Sequence, residues 1–331
     1  MTHLAVVQPC EAAHALSRPA KNSLSVESRQ RAVDFILEFG TNLQRERSLY
    51  HFPLDISSQA PSNKNVLAAL AHYQNDDGGF GHGLEPDLRT KKSTIIATTV
   101  AMQILESVGA ENGVMASDTL QYLITHFTDG NWQAIHEGAN DAPHAPWWRY
   151  EAPTNLSFCA NPGAEVMRYL IKRRAMPTEL PELLERAISH IKTSELDMHE
   201  LLCFVRLYEC EGLEKADRLE ILPYLLSNGF KLVNVEPRDW EEYCLTPLAV
   251  VNHAGSVFAE FFSDTIEANF KFLIEQQQDD GSWRPNWSWA GEFPGTWKKA
   301  ETEIKAELTL KNLQQFAAFN RLPRPQSRRF S

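Results

Sequence analysis

An all-α chain folded as an α/α toroid, about six helical hairpins around a central cavity, is predicted by three features of the sequence. A turn motif recurs at about fifty residues, apolar residues flank each copy at helical spacing, and strand-like alternation is scarce. The toroid is expected over residues 26–322, with residues 1–25 and 323–331 as tails. At 331 residues, with 43% hydrophobic and 23% charged, the chain can bury a large core but exceeds the usual single-domain length unless it is repetitive.

The motif is clearest in Gln74-Asn-Asp-Asp-Gly-Gly-Phe80 and Gln277-Gln-Asp-Asp-Gly-Ser-Trp283, with a third copy at His126-Phe-Thr-Asp-Gly-Asn-Trp132. Gly130 follows Gly78 by 52 residues, and Gly281 follows Gly130 by 151, so units are expected between them. Gly229 lies 52 residues before Gly281 and is assigned to one of them. Gly40 and the stretch around Pro177, where Tyr169-Leu-Ile resembles Tyr122-Leu-Ile, are weaker candidates that bring the count to about six. Glycine suits these turns because it takes positive φ freely, and the preceding Asp can bond nearby backbone groups.

Helical spacing precedes the turns at Val66, Leu67, Leu70 and Tyr73, and again at Ile266, Phe270, Leu273 and Ile274. Residues 93–108 are nearly uncharged and apolar on most faces, as in a helix buried on both sides. Helix starts are marked by Asn161-Pro162, by Thr246-Pro247 and by Asp264 with Glu267, because proline at the first helical position loses no hydrogen bond.

Charge and cysteine content restrict function. The 32 Lys and Arg against 43 Asp and Glu leave a net charge of −11, and no basic run is long enough to track phosphates except the terminal Arg321, Arg324, Arg328 and Arg329, which argues against nucleic acid. Five cysteines without CxxC spacing suggest neither a disulfide framework nor a zinc cluster and suit a reducing cytoplasm. No segment reads as a signal peptide or a transmembrane span.

A helix ending in Gln, followed by Asp-Gly and then Trp or Phe every fifty residues or so, resembles the repeat of squalene–hopene cyclases and of protein prenyltransferase β subunits. The resemblance covers roughly residues 60–320 and implies a toroid whose inner helices line the cavity. Neither catalytic signature of that superfamily is present. The Asp-x-Asp-Asp of the cyclases is missing, since Asp76-Asp77 and Asp279-Asp280 are turn pairs. The Asp-x-Cys of the prenyltransferases has no counterpart in residues 81–90, so zinc is not expected and no cofactor is assigned.

Chemistry is expected where the turns converge. Glu85, Glu137 and Glu236 each stand seven residues after a motif glycine, which would place three carboxylates at one mouth as an acidic ring. Crowded, buried acids hold their protons and can act as general acids; a helix start can equally account for each glutamate. His82, Asp87 and Arg89 flank Glu85, with Arg89 able to grip an anionic group. The same segments carry Trp147, Trp148, Arg149, Tyr150, Trp240, Trp287 and Trp289, whose rings can stack on sugars, hold cations or pack a prenyl chain. His199 stands four residues before Cys203 on a helix, but no second pair of ligands completes a metal site. No serine-hydrolase elbow, Walker loop or dinucleotide fingerprint is found.

Three functions follow as expectations. The first is a terpenoid-cyclase- or prenyltransferase-like enzyme performing acid/base chemistry on an apolar or isoprenoid-related small molecule. The second is a carbohydrate-active toroid using paired carboxylates. The third is a non-catalytic toroid that binds a small molecule.

Overall fold

The computed structural model describes residues 21–53, 62–152 and 158–323. Residues 1–20 and 324–331 of the two expected tails lie outside the described residues. Among the described residues twelve α-helices follow one another: α1 (Val26–Phe39), α2 (Asn42–His51), α3 (Lys64–Ala71), α4 (Ile95–Ser107), α5 (Val114–Thr125), α6 (Ala160–Arg173), α7 (Leu180–Thr193), α8 (Met198–Tyr208), α9 (Lys215–Leu232), α10 (Pro247–Val250), α11 (Ser263–Gln276) and α12 (Pro294–Ala318). Among the described residues β-pairing is limited to isolated bridges. None of these helices is long and apolar enough to cross a membrane.

Taken two at a time along the chain, the described helices form six hairpins, odd-numbered member first, and each odd-numbered helix also packs on the even-numbered one before it, α1 on α12 around the ring. Even-numbered helices pack on one another around the inside, α4 on α6, α6 on α8, α8 on α10 and α12 on α2, and the two remaining steps are bridged by hydrogen bonds, Tyr50 on α2 donating to the Val108 carbonyl at the end of α4 and Gln315 on α12 donating to the Leu248 carbonyl on α10. The ring closes where α12 packs on α1, the Leu24 N–H donates to the Arg321 carbonyl at 3.0 Å, and Arg321 pairs with Glu267. The fold is therefore an α/α toroid. The apolar shell between the inner and outer helices holds Phe80, Trp132, Phe204, Phe258, Phe270 and Phe316, all fully buried.

Local chemistry explains the helix ends. Thr41 and Asp197 form capping boxes with Gln44 and Glu200, and Thr94 accepts from the Ala97 N–H at the start of α4. Gly78, Gly130 and Gly281 all adopt positive φ in the turns that leave α3, α5 and α11. Each turn leans on the outer helix of the next hairpin. A Cβ on Gly78 would sit 2.6 Å from the Asp118 carbonyl oxygen on α5, one on Gly130 would meet the Arg186 guanidinium on α7, and one on Gly281 would overlap the Arg31 carbonyl on α1. The motif glutamines serve the same loops, Gln74 and Gln277 donating to the carbonyls of Gly78 and Gly281 at 3.2 and 3.0 Å. The motif aromatics are core: the Trp132 and Trp283 indoles donate to the carbonyls of Leu123 and Leu273.

Gly229 is a correction. It lies inside α9, where its missing side chain admits the Phe258 ring, and the turn of the fifth hairpin is built instead from residues 233–246. Tyr169 is a second one: it belongs to inner helix α6, whereas Tyr122 belongs to outer helix α5, so the two are not equivalent positions. The connection around Pro177 joins an inner helix to the next outer one, at the end opposite the motif turns.

Candidate functional site

Four of the connections from outer to inner helices are long, and all four reach one cavity of about 640 Å³. Residues 72–94 supply Glu85 and Asp87, residues 126–159 supply Trp147 and Trp148, residues 233–246 supply Tyr243, and residues 277–293 supply Trp287. Inner helices form the rest of the wall, with Ile96 from α4, Asn161 from α6, and His199, Leu202, Cys203 and Arg206 from α8. The volume lies within the usual range of small-molecule sites. A larger groove of about 800 Å³ opens at the opposite end of the ring, but aliphatic residues and charges of both signs, Lys172 and Arg174 among them, line it and no aromatic does.

The acidic loop is held rigidly. The Arg89 N–H donates to the Pro143 carbonyl and the Ala145 N–H to the Asp87 carbonyl, which ties residues 87–89 to the segment carrying Trp147 and Trp148. Asp87 is buried, and each carboxylate oxygen accepts one indole N–H, Oδ1 from Trp289 at 2.6 Å and Oδ2 from Trp287 at 3.2 Å. Burial raises its carboxyl above the ordinary range, and the two indole bonds hold that rise back. Glu85 accepts from the Asp87 N–H at 3.3 Å and keeps some surface, which faces the cavity. Burial within the ring, followed by the negative charge at Asp87, pushes its carboxyl up to about 8. At neutral pH Glu85 is therefore a carboxylic acid.

A fixed cation stands on the facing helix. Arg206 donates through Nε to Glu165 and through Nη2 to the Cys203 sulfur at 3.4 Å. Glu165 is buried and also accepts from Arg168, Gln103 and the Tyr169 hydroxyl. Its carboxyl is pulled down to about 2, because the guanidiniums of Arg206 and Arg168 outweigh the burial that opposes them. Burial pushes the Cys203 thiol up to about 12.

The expected site residues divide into two groups. Glu85, Asp87, Trp147, Trp148, Trp287 and His199 line the cavity together. Glu137 and Glu236 are exposed and lie away from it, so the acidic ring does not form. The equal offsets misled for a physical reason, since Gly229 is helical and the chain after Gly130 turns outward into a short 3-10 helix that starts at Glu137. His82 is also exposed outside the cavity, its ring bonded to Asn75 at 2.9 Å. Arg89 is paired with Glu303 on α12 and lines a neighbouring groove. Arg149 bonds both oxygens of Glu292 at 3.1 Å, which fastens the Trp147–Trp148 segment to the α11–α12 connection. Tyr150 is not among the cavity residues, and its backbone is held by Asn140. Trp240 is core, donating to the Asn234 carbonyl at 2.8 Å, and Trp289 is wholly buried behind Asp87.

Tyr243 and Arg206 belong to the cavity without having been singled out as site residues. Arg206 stands seven residues after His199, two helical turns along the same face of α8, which is the signal that finds it. Among the described residues no group of three or more His, Cys, Asp or Glu side chains is arranged to hold a metal ion.

No protein-family model matches the chain, and no curated protein is found similar to it. Among solved structures it is similar to a variant of the type II terpene cyclase MstE from Scytonema in complex with its product merosterolic acid A, at 13% identity, 89% coverage of this chain, 97% of that one, and a TM-score of 0.49. The apo form of that cyclase gives 14% identity, coverage of 88% and 98%, and a TM-score of 0.47. Another apo variant gives 14%, 88% and 96%, and a TM-score of 0.48. At this identity the likeness is one of fold alone, and what the chain is, on the ring of contacts traced above, is an α/α toroid.

Proposed function

We propose that the cavity protonates a carbon–carbon double bond of an apolar, isoprenoid-type molecule and carries the resulting cation on aromatic faces. One observation carries this reading: Glu85, the acid facing the cavity, holds its proton at neutral pH inside a wall of Trp147, Trp148, Tyr243 and Trp287. The faces of these rings are electron-rich and attract a cation by about 0.5 to 1 kcal/mol at exposed positions such as Trp147 and Tyr243, and by about 2 kcal/mol or more where it is desolvated. Asp87 supports the acid in two ways. Its negative charge makes ionisation of Glu85 harder, and its bond to Trp287 orients one of the aromatic walls.

Glycoside cleavage is less well served. It requires two working carboxyl groups on either side of a scissile bond. Here both candidates sit two residues apart on one loop, and both oxygens of Asp87 are already engaged by indole N–H groups. A purely binding toroid would be expected to hold its acids paired and ionised, whereas Glu85 is kept protonated because burial and the charge at Asp87 outweigh the opposing guanidinium of Arg89.

The test is incubation of the protein in D₂O with polyprenyl probes such as geranylgeraniol and squalene, followed by mass analysis. Incorporation of one deuterium by the wild type, lost in Glu85→Gln, is the expected result. Equal incorporation by the variant would remove Glu85 from the role of acid.

A further inference from the structure

The groove of about 800 Å³ at the end of the ring opposite the cavity takes no part in the chemistry proposed for Glu85. Its floor is apolar, built from Ile171 near the end of α6, Leu180, Leu184 and Ile188 along α7, and Leu213 just before α9. Around this floor stand Glu185, Glu211, Glu214, Asp217 and Glu220, against Lys172 and Arg174. Lys172 is already paired with Glu106, and Glu220 with Lys192. Glu185, Glu211, Glu214 and Asp217 have no ion pair among the described residues, and they outnumber the remaining cation of the groove, Arg174. Burial, and then the charges of Glu220 and Glu214, raise the carboxyl of Asp217, as expected where like charges crowd. An apolar floor under an acidic rim fits a segment that carries arginines beside a large apolar side chain.

Residues 324–331 are such a segment. They hold Arg324, Arg328 and Arg329 beside Phe330, with no acid, and lie outside the described residues. The root of this segment and the groove share one end of the ring. Inner helices run away from the cavity, so α6 and α12 both finish at the end that carries the groove. They finish on opposite sides of it, because α12 stands three inner helices from α6 in either direction around the ring. Arg321, close to the root, pairs with Glu267 on α11 and accepts from the Leu24 N–H beside α1.

That separation decides which groove the segment can fill. Helix spacings of about 8 to 10 Å, one from the ring axis to the inner layer and one more to the outer layer, put the root roughly 30 Å or more from the groove. Phe330 stands seven residues after Pro323 and reaches at most about 25 Å in a fully extended chain. The groove of the same chain is therefore out of reach. A second copy turned over by a two-fold axis lying between the far ends of the two rings has its groove above the first copy's root, and its root above the first copy's groove.

We infer that residues 324–331 of each chain dock in the groove of a second copy, forming a two-fold dimer that joins the rings by their far ends. The arginines meet the acidic rim and Phe330 covers the apolar floor. Both cavities stay open, and the inference is independent of the chemistry assigned to them.

The test is sedimentation velocity over a dilution series of the full chain at low salt. The wild type is expected to sediment as a dimer and a chain ending at Pro323 as a monomer, and salt at about 1 M, which screens charges beyond about 3 Å, should loosen the dimer. Reversing the charge on either side should also give a monomer, with Arg324→Glu, Arg328→Glu and Arg329→Glu in one variant and Glu185→Lys with Glu211→Lys in the other. Glu185 and Glu211 are exposed and lie outside the first turns of α7 and α9, so folding should persist, as far-UV circular dichroism checks. Mixing the two variants should restore the dimer, because each segment again meets a rim of opposite charge. A monomeric wild type, a dimer that survives truncation, or folded variants that stay monomeric when mixed would each overturn the inference.

Discussion

Replacing Glu85 by Gln should stabilise the protein at high pH and leave it unchanged at low pH. A carboxyl that titrates near 8 in the fold and near 4.5 in the unfolded chain binds more protons folded than unfolded between those values. Stability therefore falls as pH rises from about 4.5 to about 8, and the full penalty persists above that. At about 1.36 kcal/mol for each tenfold change in proton affinity, the penalty amounts to roughly 3 to 5 kcal/mol. Glutamine keeps the shape and cannot ionise, so Glu85→Gln should melt with the wild type near pH 4.5 and roughly 5 to 10 °C above it at pH 9, by differential scanning calorimetry at several pH values. Activity that depends on the acid form should decline through the same upper limb, near pH 8. A variant that melts below the wild type at pH 9 would show that Glu85 is an ionised, stabilising carboxylate and would refute the reasoning.

The opposite pH signature is expected at Glu165, whose carboxyl is depressed to about 2: its contribution is complete above about 4.5 and lost as pH falls toward 2. Glu165→Gln leaves Arg206 without its carboxylate partner and should cost about 3 to 5 kcal/mol by urea unfolding at pH 7, a difference that should vanish near pH 2. Trp289→Phe removes the shorter of the two bonds to Asp87 and should lower the urea midpoint by about 1.5 to 3 kcal/mol equivalents; Trp287→Phe, removing the longer bond, should cost less, and the reverse order would contradict the geometry. Gly281→Ala adds a Cβ at φ +88° against the α1 backbone and should cost roughly 3 kcal/mol or more, whereas Gly109→Ala, at φ +65° with open space around it, should cost only about 1 to 2 kcal/mol in the same thermal assay.

The hairpin ring was legible because its turn chemistry is local. Gly78, Gly130 and Gly281 announce themselves by a neighbouring Asp and aromatic, and in each the side chains bond within the same loop or its own helix. Gly229 shows where this ends. A glycine admitted for close packing against Phe258, 29 residues away, looks in the sequence like a glycine admitted for a turn. The cavity was half legible for a related reason. Glu85, Asp87 and the tryptophans sit in the long connections that a repeat must bring to one end. Direction within a connection depends on contacts from distant chain segments, such as Glu303 capturing Arg89 and Glu292 capturing Arg149, and no spacing rule encodes those.

The way each motif turn rests on the following hairpin gives the ring no privileged starting point. Gly78 and Gly130 lean forward onto α5 and α7, and Gly281, in the last hairpin, leans onto α1, the first. The contact that completes the circle is thus of the same kind as those made inside it, and Leu24 and Arg321 are already bonded across the seam. Covalent order along the chain and cyclic order in space are separable here. A circular permutant that joins residue 21 to residue 323 through a short flexible linker and opens the chain at Pro177, in a connection far from the cavity, should assemble the same six hairpins around the same acid.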